Sequence, residues 1–361
     1  MVRATARSLD RPPPKKRRPR HTSTGSSIIS DAMLTPSLIA FMGAFTIRAP
    51  PPSARAGTLY MVDGAKPILV LGATGKVGLC VVRQLSDRGR NVRALARIPT
   101  SPTASTLAML PGVDVVQGDI LDKESLTAAV AGCSAVISVS GASRKSSLDD
   151  FIGIPPPILR TDMQFEGSHP QQVNYLGVVN TIEAMQAAGV SKIVRLTGLS
   201  CSFSAFNPFV LLIGCGLLSM STAWHARSEN LLRESQLDYT ILRPGGLSDD
   251  ARGANTLVAA SETLPIAQGR IGRSDLAALA IEAACGPNGK RATVACGWVK
   301  DREDIGRYTV NSWAPLLAAI PPDAGPLPLE PYRLAFGLML GGGLLATLLA
   351  FEQLAAKIFV G

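Results

Sequence analysis

Three evenly spaced glycines, Gly72, Gly75 and Gly78, are the residues of this chain that point most directly to chemistry. Glycines at such spacing let backbone N–H groups approach a phosphate closely, because no side chain stands in the way. Lys76 lies in the same loop and adds a cation. Spaced glycines alone can also form a tight strand-to-helix turn that binds nothing. The flanking sequence has to decide between these two interpretations.

The flanking sequence predicts a strand before the glycines and a helix after them. Residues 68–71 form an apolar run long enough for one buried parallel strand. After the loop, Val77, Val81 and Leu85 recur every four residues, and Gly89 suits the left-handed end of a helix. In this context a pyrophosphate lies at the positive helix end. The predicted cofactor-binding residues of the loop are Gly72, Ala73, Thr74, Gly75, Lys76, Val77 and Gly78.

The end of the second predicted strand, residues 91–96, indicates which dinucleotide is bound. Arg97 follows this strand, which has no acidic residue placed to hold a ribose 2′-hydroxyl. An arginine there suits a 2′-phosphate, so the predicted cofactor is NADP(H) rather than NAD(H). The alternative is that Arg97 is only a solvated residue at a strand end. Further predicted cofactor contacts follow the third strand (113–117) and the fourth (135–139): Asp119, Ile120, Ser140 and Gly141.

The alternation of strands and helices continues through the middle of the chain. A helix is predicted over 171–188, a fifth strand over 192–196 and a sixth over 236–242. Alternating elements of this kind predict the α/β fold class, a doubly wound parallel-sheet Rossmann fold. The right-handed crossover rule leaves essentially one topology. The predicted NAD(P)-binding domain spans residues 64–300.

Several segments resemble one protein family. The opening G-x-x-G-x-x-G is followed by residues 170–175 (PQQVNY), 187–194 (AAGVSKIV), 229–247 (ENLLRESQLDYTILRPGGL) and 272–277 (GRSDLA). In this order they resemble the NmrA-like atypical short-chain dehydrogenase/reductases, in particular plant plastid members. The similarity covers about residues 66–300. It implies an NAD(P)-binding Rossmann domain and does not identify a substrate.

The same resemblance identifies a departure at the catalytic positions. Reductases of this superfamily use Tyr-x-x-x-Lys, in which the tyrosine transfers a proton and the lysine lowers its pKa and holds the ribose. Alignment on Glu229 places the lysine position at His225 and the tyrosine position at Ser221. These two residues are the candidate catalytic pair, since a histidine can transfer protons near neutral pH. The alternative is that His225 lies on the helix surface and contacts only ribose.

Two functions remain open at this point. The first is an NADP(H)-bound scaffold or redox-sensing assembly factor at a plastid membrane, which the missing Tyr-Lys pair favours. The second is an NADPH-dependent reductase of an apolar metabolite such as an isoprenoid, pigment or quinone. The apolar stretch 203–220 favours this second function, because it could line a substrate pocket. It could also face a membrane or pack on the core as a lid. The expected partner is a small apolar substrate or a membrane protein complex.

The first 60 residues are expected to be a targeting presequence. They hold ten basic residues against two acidic ones, whereas the remaining chain holds 26 basic and 25 acidic residues. The near-neutral remainder does not predict a nucleic-acid surface, which needs clustered Lys and Arg. A short apolar run (33–45) followed by an acid-free stretch resembles the bipartite presequence of plastids reached through the secretory route. A disordered basic tail with a nuclear signal at 15–18 is the alternative.

The C-terminal region is expected to attach the protein to a membrane. Residues 301–331 are the expected linker, and residues 315–331 within it are proline-rich. Residues 332–361 are the expected anchor, because 334–351 is an uncharged run of 18 residues, the lower limit for a transmembrane helix. The alternative is a buried C-terminal helix of the soluble fold. The expected location is a plastid membrane with the soluble domain in the stroma. No metal is expected, because the six cysteines lack the spacing of metal ligands.

Overall fold

The structure is a computed structural model of the 361-residue chain. It describes residues 66–142, 144–152, 156–160, 164–254, 256–261, 270–299, 313–327 and 331–343. The expected targeting presequence and residues 344–361 of the expected anchor lie outside the described residues.

The described residues form an eight-stranded sheet and a separate two-stranded sheet. The strands are β1 (Ile68–Leu71), β2 (Val92–Ala96), β3 (Val113–Gln117), β4 (Ala135–Ser138), β5 (Lys192–Leu196), β6 (Asp238–Pro244), β7 (Gly246–Ser248), β8 (Thr256–Ser261), β9 (Arg270–Gly272) and β10 (Ala292–Val299). The large sheet has the order β3-β2-β1-β4-β5-β6-β10-β8, and β7 pairs with β9. All pairs are parallel except β10–β8, which is antiparallel. The predicted α/β Rossmann fold is confirmed, whereas the antiparallel edge strand was not predicted.

Helices cover both faces of the large sheet. They are α1 (Lys76–Asp87), α2 (Pro102–Ala108), α3 (Lys123–Val130), α4 (Gly177–Ala187), α5 (Ser221–Glu234), α6 (Arg273–Cys285) and α7 (Ala314–Ala318), followed by α8 over residues 332–343. One core cluster holds side chains of α1, α2, α6 and α7, and a second holds those of α3, α4 and α5. Alternate residues of β5 show the two faces: Val194 packs in the first cluster and Ile193 in the second. Both faces of the sheet are therefore buried, as its apolar strands require.

Local signals in the sequence set several element boundaries. Asp122 caps α3 by accepting a hydrogen bond from the backbone N–H of Glu124. Gly89 ends α1 with a φ of +66°, the conformation expected of it. The predicted helix over 171–188 has a different beginning, because residues Gln171–Leu176 form a π-helical turn that continues into α4. Such turns are frequent at functional sites.

A third core cluster lies beside the sheet and contains the apolar stretch 203–220. Residues Val210–Leu217 form a second π-helical segment, and Val210 and Cys215 are buried against Trp224 of α5. Helix α8 joins the same cluster through Tyr332, Ala335 and Phe336. Of the interpretations given for this stretch, the structure shows one: buried residues of the stretch pack on other residues of the chain, as a lid would.

The C-terminal region differs from expectation at two points. The expected linker is not free of the fold where it is described, because Trp313 and Leu317 are buried in the first core cluster. The first three turns of the expected anchor pack on the protein through Phe336, which is 1% exposed. Within the described ranges, no helix combines the length and apolar character needed to cross a bilayer. The expected transmembrane helix is therefore not seen.

Candidate cofactor and substrate site

The loop between β1 and α1 needs two of its three glycines for its own packing. Gly72 has a φ of +80°, and a Cβ added to it would lie 2.8 Å from the backbone nitrogen of Ser140. A Cβ on Gly78 would lie 2.1 Å from the carbonyl oxygen of Gly72. Both distances are below the limit for real Cβ atoms, so a side chain at either position would force the backbone apart. Gly72 and Gly78 thus close the turn and seat α1 against it.

The packing of the fold does not require a glycine at position 75 in the same way. Its φ of −78° and ψ of 164° suit any residue, and an added Cβ would meet only the carbonyl oxygen of Gly72, at 3.3 Å. Gly75 is also the N-cap of α1 and provides no side-chain cap for the first-turn N–H groups. An uncapped helix start at a glycine, with no side chain in the way, fits a pyrophosphate. The loop therefore fits the phosphates of a dinucleotide, as the spacing predicts.

The other predicted cofactor residues lie at the same edge of the sheet. Arg97 is exposed at the end of β2. The Asp119 carboxylate accepts a hydrogen bond from the backbone of Leu121, so it shapes the turn after β3. Lys76 is paired with Asp249, with 3.1 Å between Nζ and Oδ2, and Arg273 contacts the same carboxylate at 2.5 Å. A bound phosphate would compete with Asp249 for these two cations.

A buried asparagine connects the segment after β4 with the predicted catalytic position. Asn174 accepts a hydrogen bond from the backbone of Ala142, just after Ser140 and Gly141, at 3.0 Å. Its Nδ2 donates to the hydroxyl of Ser221, also at 3.0 Å. Asn174 is fully buried on the π-helical turn that leads into α4. It was not predicted, although a polar residue at a buried helical position was a usable signal.

The imidazole of His225 cannot replace the charge of the expected lysine. Burial lowers its pKa to about 3, and the nearby Arg195 acts in the same direction against a smaller opposing effect of Glu229. The ring is therefore neutral at physiological pH. Its buried Nδ1 has no hydrogen-bond partner in the described part of the chain.

Arg195 provides a fixed cation beside His225 and was not predicted from the sequence. The residue lies on β5, where it is 0% exposed, on the same face as Ile193. Its Nη1 donates to the hydroxyl of Ser138 at 2.9 Å and to the carbonyl oxygen of Ser140 at 2.7 Å. Burial lowers its pKa to about 10, so it stays protonated at neutral pH. An arginine inside an apolar strand run was the signal that could have identified it.

A second set of buried charges lies next to Arg195 on α5 and β6. The Glu229 carboxylate accepts hydrogen bonds from Arg243 at 2.5 Å and from Thr197 at 2.7 Å. Arg233 lies 3.4 Å from the same carboxylate and also contacts Asp323 at 3.2 Å. Burial opposes the ionisation of Glu229, but Arg243 outweighs it and keeps the pKa of this carboxyl below its usual value. These groups satisfy one another and hold α5 against β6.

The comparison with known families agrees with the geometry of the glycine loop. A family model described as NAD(P)H-binding matches residues 72–287, which is more than half of the chain. The chain belongs to this NAD(P)H-binding family. Its relatives and fold identify it further as an NmrA-like, atypical short-chain dehydrogenase/reductase-like Rossmann domain.

Plant and cyanobacterial relatives match the NAD(P)H-binding domain. An uncharacterised chloroplast protein of Arabidopsis thaliana is 31% identical over 221 residues, 60% of this chain and 64% of the relative. Sanguinarine reductase of Eschscholzia californica is 30% identical over 249 residues, 62% of this chain and 86% of the reductase. The photosystem II assembly factor Ycf39 of Synechocystis is 29% identical over 179 residues, 50% of this chain and 44% of that protein. The domain is thus similar to reductases and to assembly factors alike.

A solved structure supports the fold alone. A putative NAD-dependent epimerase/dehydratase from Bacillus halodurans covers 65% of this chain and 95% of its own, with a TM-score of 0.52 and 18% identity. Within this NAD(P)H-binding fold, Ser221 and His225 are the first and fifth residues of α5. Their roles remain predictions.

Proposed function

We propose that the protein is an NADP(H)-bound scaffold or redox-sensing assembly factor at a plastid membrane. The observation that carries the proposal is a complete phosphate-binding loop next to an incomplete proton-transfer pair. Gly75 places no side chain between the start of α1 and a bound pyrophosphate. Ser221 stands where the reductases have tyrosine, and the neutral His225 stands where they have lysine. Such a site retains the cofactor but lacks an efficient acid for reduction.

NADP(H) is proposed over NAD(H) because of the charges at the adenosine end. Arg97 is exposed at the end of β2, and no acidic residue of β2 is placed to bind the 2′-hydroxyl. Lys76 and Arg273 add two cations near the start of α1, both held by Asp249. When bound, the cofactor would supply a hydride, and these residues would select its phosphorylated form.

The membrane location is proposed from an exposed apolar surface. Seven large apolar side chains on the segment 206–217 and on α8 are exposed, and we call them the apolar face: Phe206, Phe209, Leu212, Ile213, Leu217, Leu334 and Leu338. The two segments touch, because a Cβ added to Gly216 would lie 3.4 Å from the ring of Phe336. Arg333 points inward, donating to the carbonyl oxygens of Ile158 and Arg160, and leaves the face without its charge. A surface of this kind suits lipid or a membrane protein.

The plastid part of the proposal comes from the relatives, several of which are chloroplast proteins by name. The assembly role draws on Ycf39, described as a photosystem II assembly factor. A second candidate function, reduction of an apolar metabolite, is favoured by the buried cation Arg195 and by sanguinarine reductase.

The experiment that tests the proposal separates binding from turnover. The full-length chain is titrated with NADPH, with NADH and with vesicles of phosphatidylcholine with and without phosphatidylglycerol. It is then mixed with NADPH and a plastid lipid extract, and the NADPH absorbance is followed. A scaffold binds NADPH and vesicles without consuming the cofactor. Sustained NADPH consumption would favour the reductase, and absence of NADPH binding would refute both functions.

A further inference from the structure

The guanidinium of Arg195 is only partly satisfied by the protein. Its Nη1 has three acceptors on two serines: the Ser138 hydroxyl, the Ser140 carbonyl and the Ser140 hydroxyl. Its Nε and Nη2 are buried and have no acceptor within hydrogen-bond distance among the described residues. A buried charged donor without a partner is costly, and natural proteins keep such groups mainly at functional sites.

Among the described residues, the charges around Arg195 leave an excess of one positive charge. The buried network around Arg195 contains Glu229, Arg233, Arg243 and Asp323. Glu229 and Asp323 already accept hydrogen bonds from Arg243 and Arg233. Three arginines therefore face two carboxylates, and both carboxylates are engaged by the other two arginines. One negative charge is missing beside Arg195, and a single carboxylate group would supply it.

Arg195 places its positive charge near the end of the sheet where ligands bind. Its partner Ser140 follows β4 and lies against Gly72 of the cofactor loop. Ligands of open α/β sheets bind outside the carboxyl ends of the strands. Another buried atom without a partner among the described residues, Nδ1 of His225, belongs to α5, and Arg195 is close enough to influence that ring. A ligand held here would lie next to the nicotinamide side of the cofactor.

We propose that Arg195 binds the carboxylate of a monocarboxylate ligand, through its Nε and Nη2, beside the bound cofactor. Two parallel N–H donors of a guanidinium match the two oxygens of a carboxylate. The apolar stretch 203–220 follows β5 and would accept the apolar body of such a ligand. Because both donors are closed off from solvent, the ligand enters only after a local opening, and its association is slow. The inference rests on the proposed cofactor binding for the nicotinamide and deepens that function by naming a ligand class.

Benzoate is the probe, because it joins one carboxylate to an apolar ring, and benzamide is its neutral control. The full-length chain is saturated with NADPH and titrated with each compound while the nicotinamide fluorescence is recorded. We expect a saturable change with benzoate and none with benzamide or chloride. Benzoate should also raise the midpoint of thermal unfolding of the NADPH-loaded chain.

Two variants of Arg195 and one control variant locate the effect. Arg195→Gln should weaken benzoate at least about tenfold, and Arg195→Lys, which keeps the charge, should weaken it less. Arg93→Gln is the matched control, because Arg93 is likewise a strand arginine whose Nη1 donates to the backbone, at the carbonyls of Ala129 and Ala131. It should leave benzoate binding unchanged. An equal response in Arg195→Gln and the native chain would overturn the proposal.

The native chain alone decides the question if the Arg195 variants fail to fold. No saturable response to benzoate, or an equal response to benzamide, would show that Arg195 is satisfied by buried water and has no ligand role. Intact NADPH binding in the same titration keeps this result separate from the proposed function. Loss of NADPH binding would refute the proposed function first.

Discussion

Asn174 donates a hydrogen bond to the hydroxyl of Ser221, and the two residues lie 47 positions apart in the chain. The same amide accepts from the backbone of Ala142, so one buried side chain joins the end of β4 to the first residue of α5. The Ser221 oxygen is thereby held in place at the first residue of α5, where the resemblance to reductases predicts the proton donor. The fold, and not a flexible contact, therefore fixes the position of the Ser221 oxygen relative to the glycine loop.

Two substitutions in the glycine loop should have different effects, one on cofactor binding and the other on stability. Gly75→Val should abolish NADPH binding while the domain stays folded, because its backbone conformation suits a side chain and only one atom lies near. Gly78→Ala should instead destabilise the fold, since its Cβ would lie 2.1 Å from a carbonyl oxygen. Thermal unfolding and NADPH fluorescence measure the two effects. Unchanged binding by folded Gly75→Val would reduce the loop to a structural turn.

Arg97 should control the choice between the two dinucleotides. Arg97→Ala is expected to weaken NADPH about tenfold or more and to leave NADH almost unchanged, because only NADPH carries the 2′-phosphate. Arg83→Ala, which removes an exposed arginine of α1, is the control for a general loss of positive charge. Both affinities are measured by fluorescence titration. A native preference for NADH would contradict the assignment.

Asp249 should act as a competitor of the cofactor phosphates. Asp249→Asn frees Lys76 and Arg273, which now share its carboxylate, and we expect NADPH to bind several-fold more tightly at low salt. The gain should fade as ionic strength rises, because Lys76 and Asp249 are largely exposed. Titrations at two salt concentrations measure it. Weaker binding in the variant would mean that Asp249 positions the two cations for the phosphates.

The apolar face can be tested without removing any element. Leu212→Glu and Leu334→Glu should each reduce sedimentation with phosphatidylcholine and phosphatidylglycerol vesicles, because each places a charge among exposed apolar side chains. Met109→Glu is the control, since Met109 is 77% exposed but lies between α2 and β3. NADPH affinity should stay the same in all three variants. Equal sedimentation of all variants would exclude this face from membrane contact.

His225 predicts a pH dependence of stability. Burial lowers its pKa to about 3 in the folded chain from an ordinary value of 6.5, so the unfolded chain binds a proton that the folded chain refuses. Its contribution to stability is therefore complete above pH 6.5 and is lost as the pH falls toward 3. His225→Gln should reduce the slope of unfolding free energy between pH 5 and 6 by up to about 1.4 kcal/mol per pH unit.

His169 is the internal control for this measurement, because burial also lowers its pKa, to about 4. His169→Gln should reduce the slope by a similar amount, and the double variant should combine both reductions. Denaturant unfolding at several pH values measures the slopes. An unchanged slope in His225→Gln would mean that its ring is accessible to protons in the folded chain.

The sequence was most informative where the signal was local. The strands at 68–71, 113–117 and 192–196 have their predicted bounds, because each is a short stretch that contains at least three β-branched or leucine residues. The N-cap Asp122 and the helix end at Gly89 depend on neighbouring residues only. These features need no knowledge of the rest of the fold.

Features that depend on distant contacts were missed. Arg195 has its partners 55 and 57 residues earlier, and Asn174 bonds to a residue 47 positions later. The apolar side of α8 was expected in a membrane because periodicity cannot distinguish lipid from the buried cluster around Trp224. The segment at 313–323 was expected to be a linker because its prolines conceal the packing of Trp313 and the ionic contacts of Asp323.

Asp323 also constrains the order in which the chain can mature during synthesis. Its carboxylate accepts hydrogen bonds from Arg233, Tyr239 and Thr293, residues of α5, β6 and β10. These donors leave the ribosome first, 30 to 90 residues ahead of their acceptor. Until residue 323 emerges, the Arg233 guanidinium and the hydroxyls of Tyr239 and Thr293 lack this carboxylate as an acceptor. A nascent chain stalled before that residue should remain protease-sensitive around β6. By then β1, the glycine loop and α1 have already been synthesised.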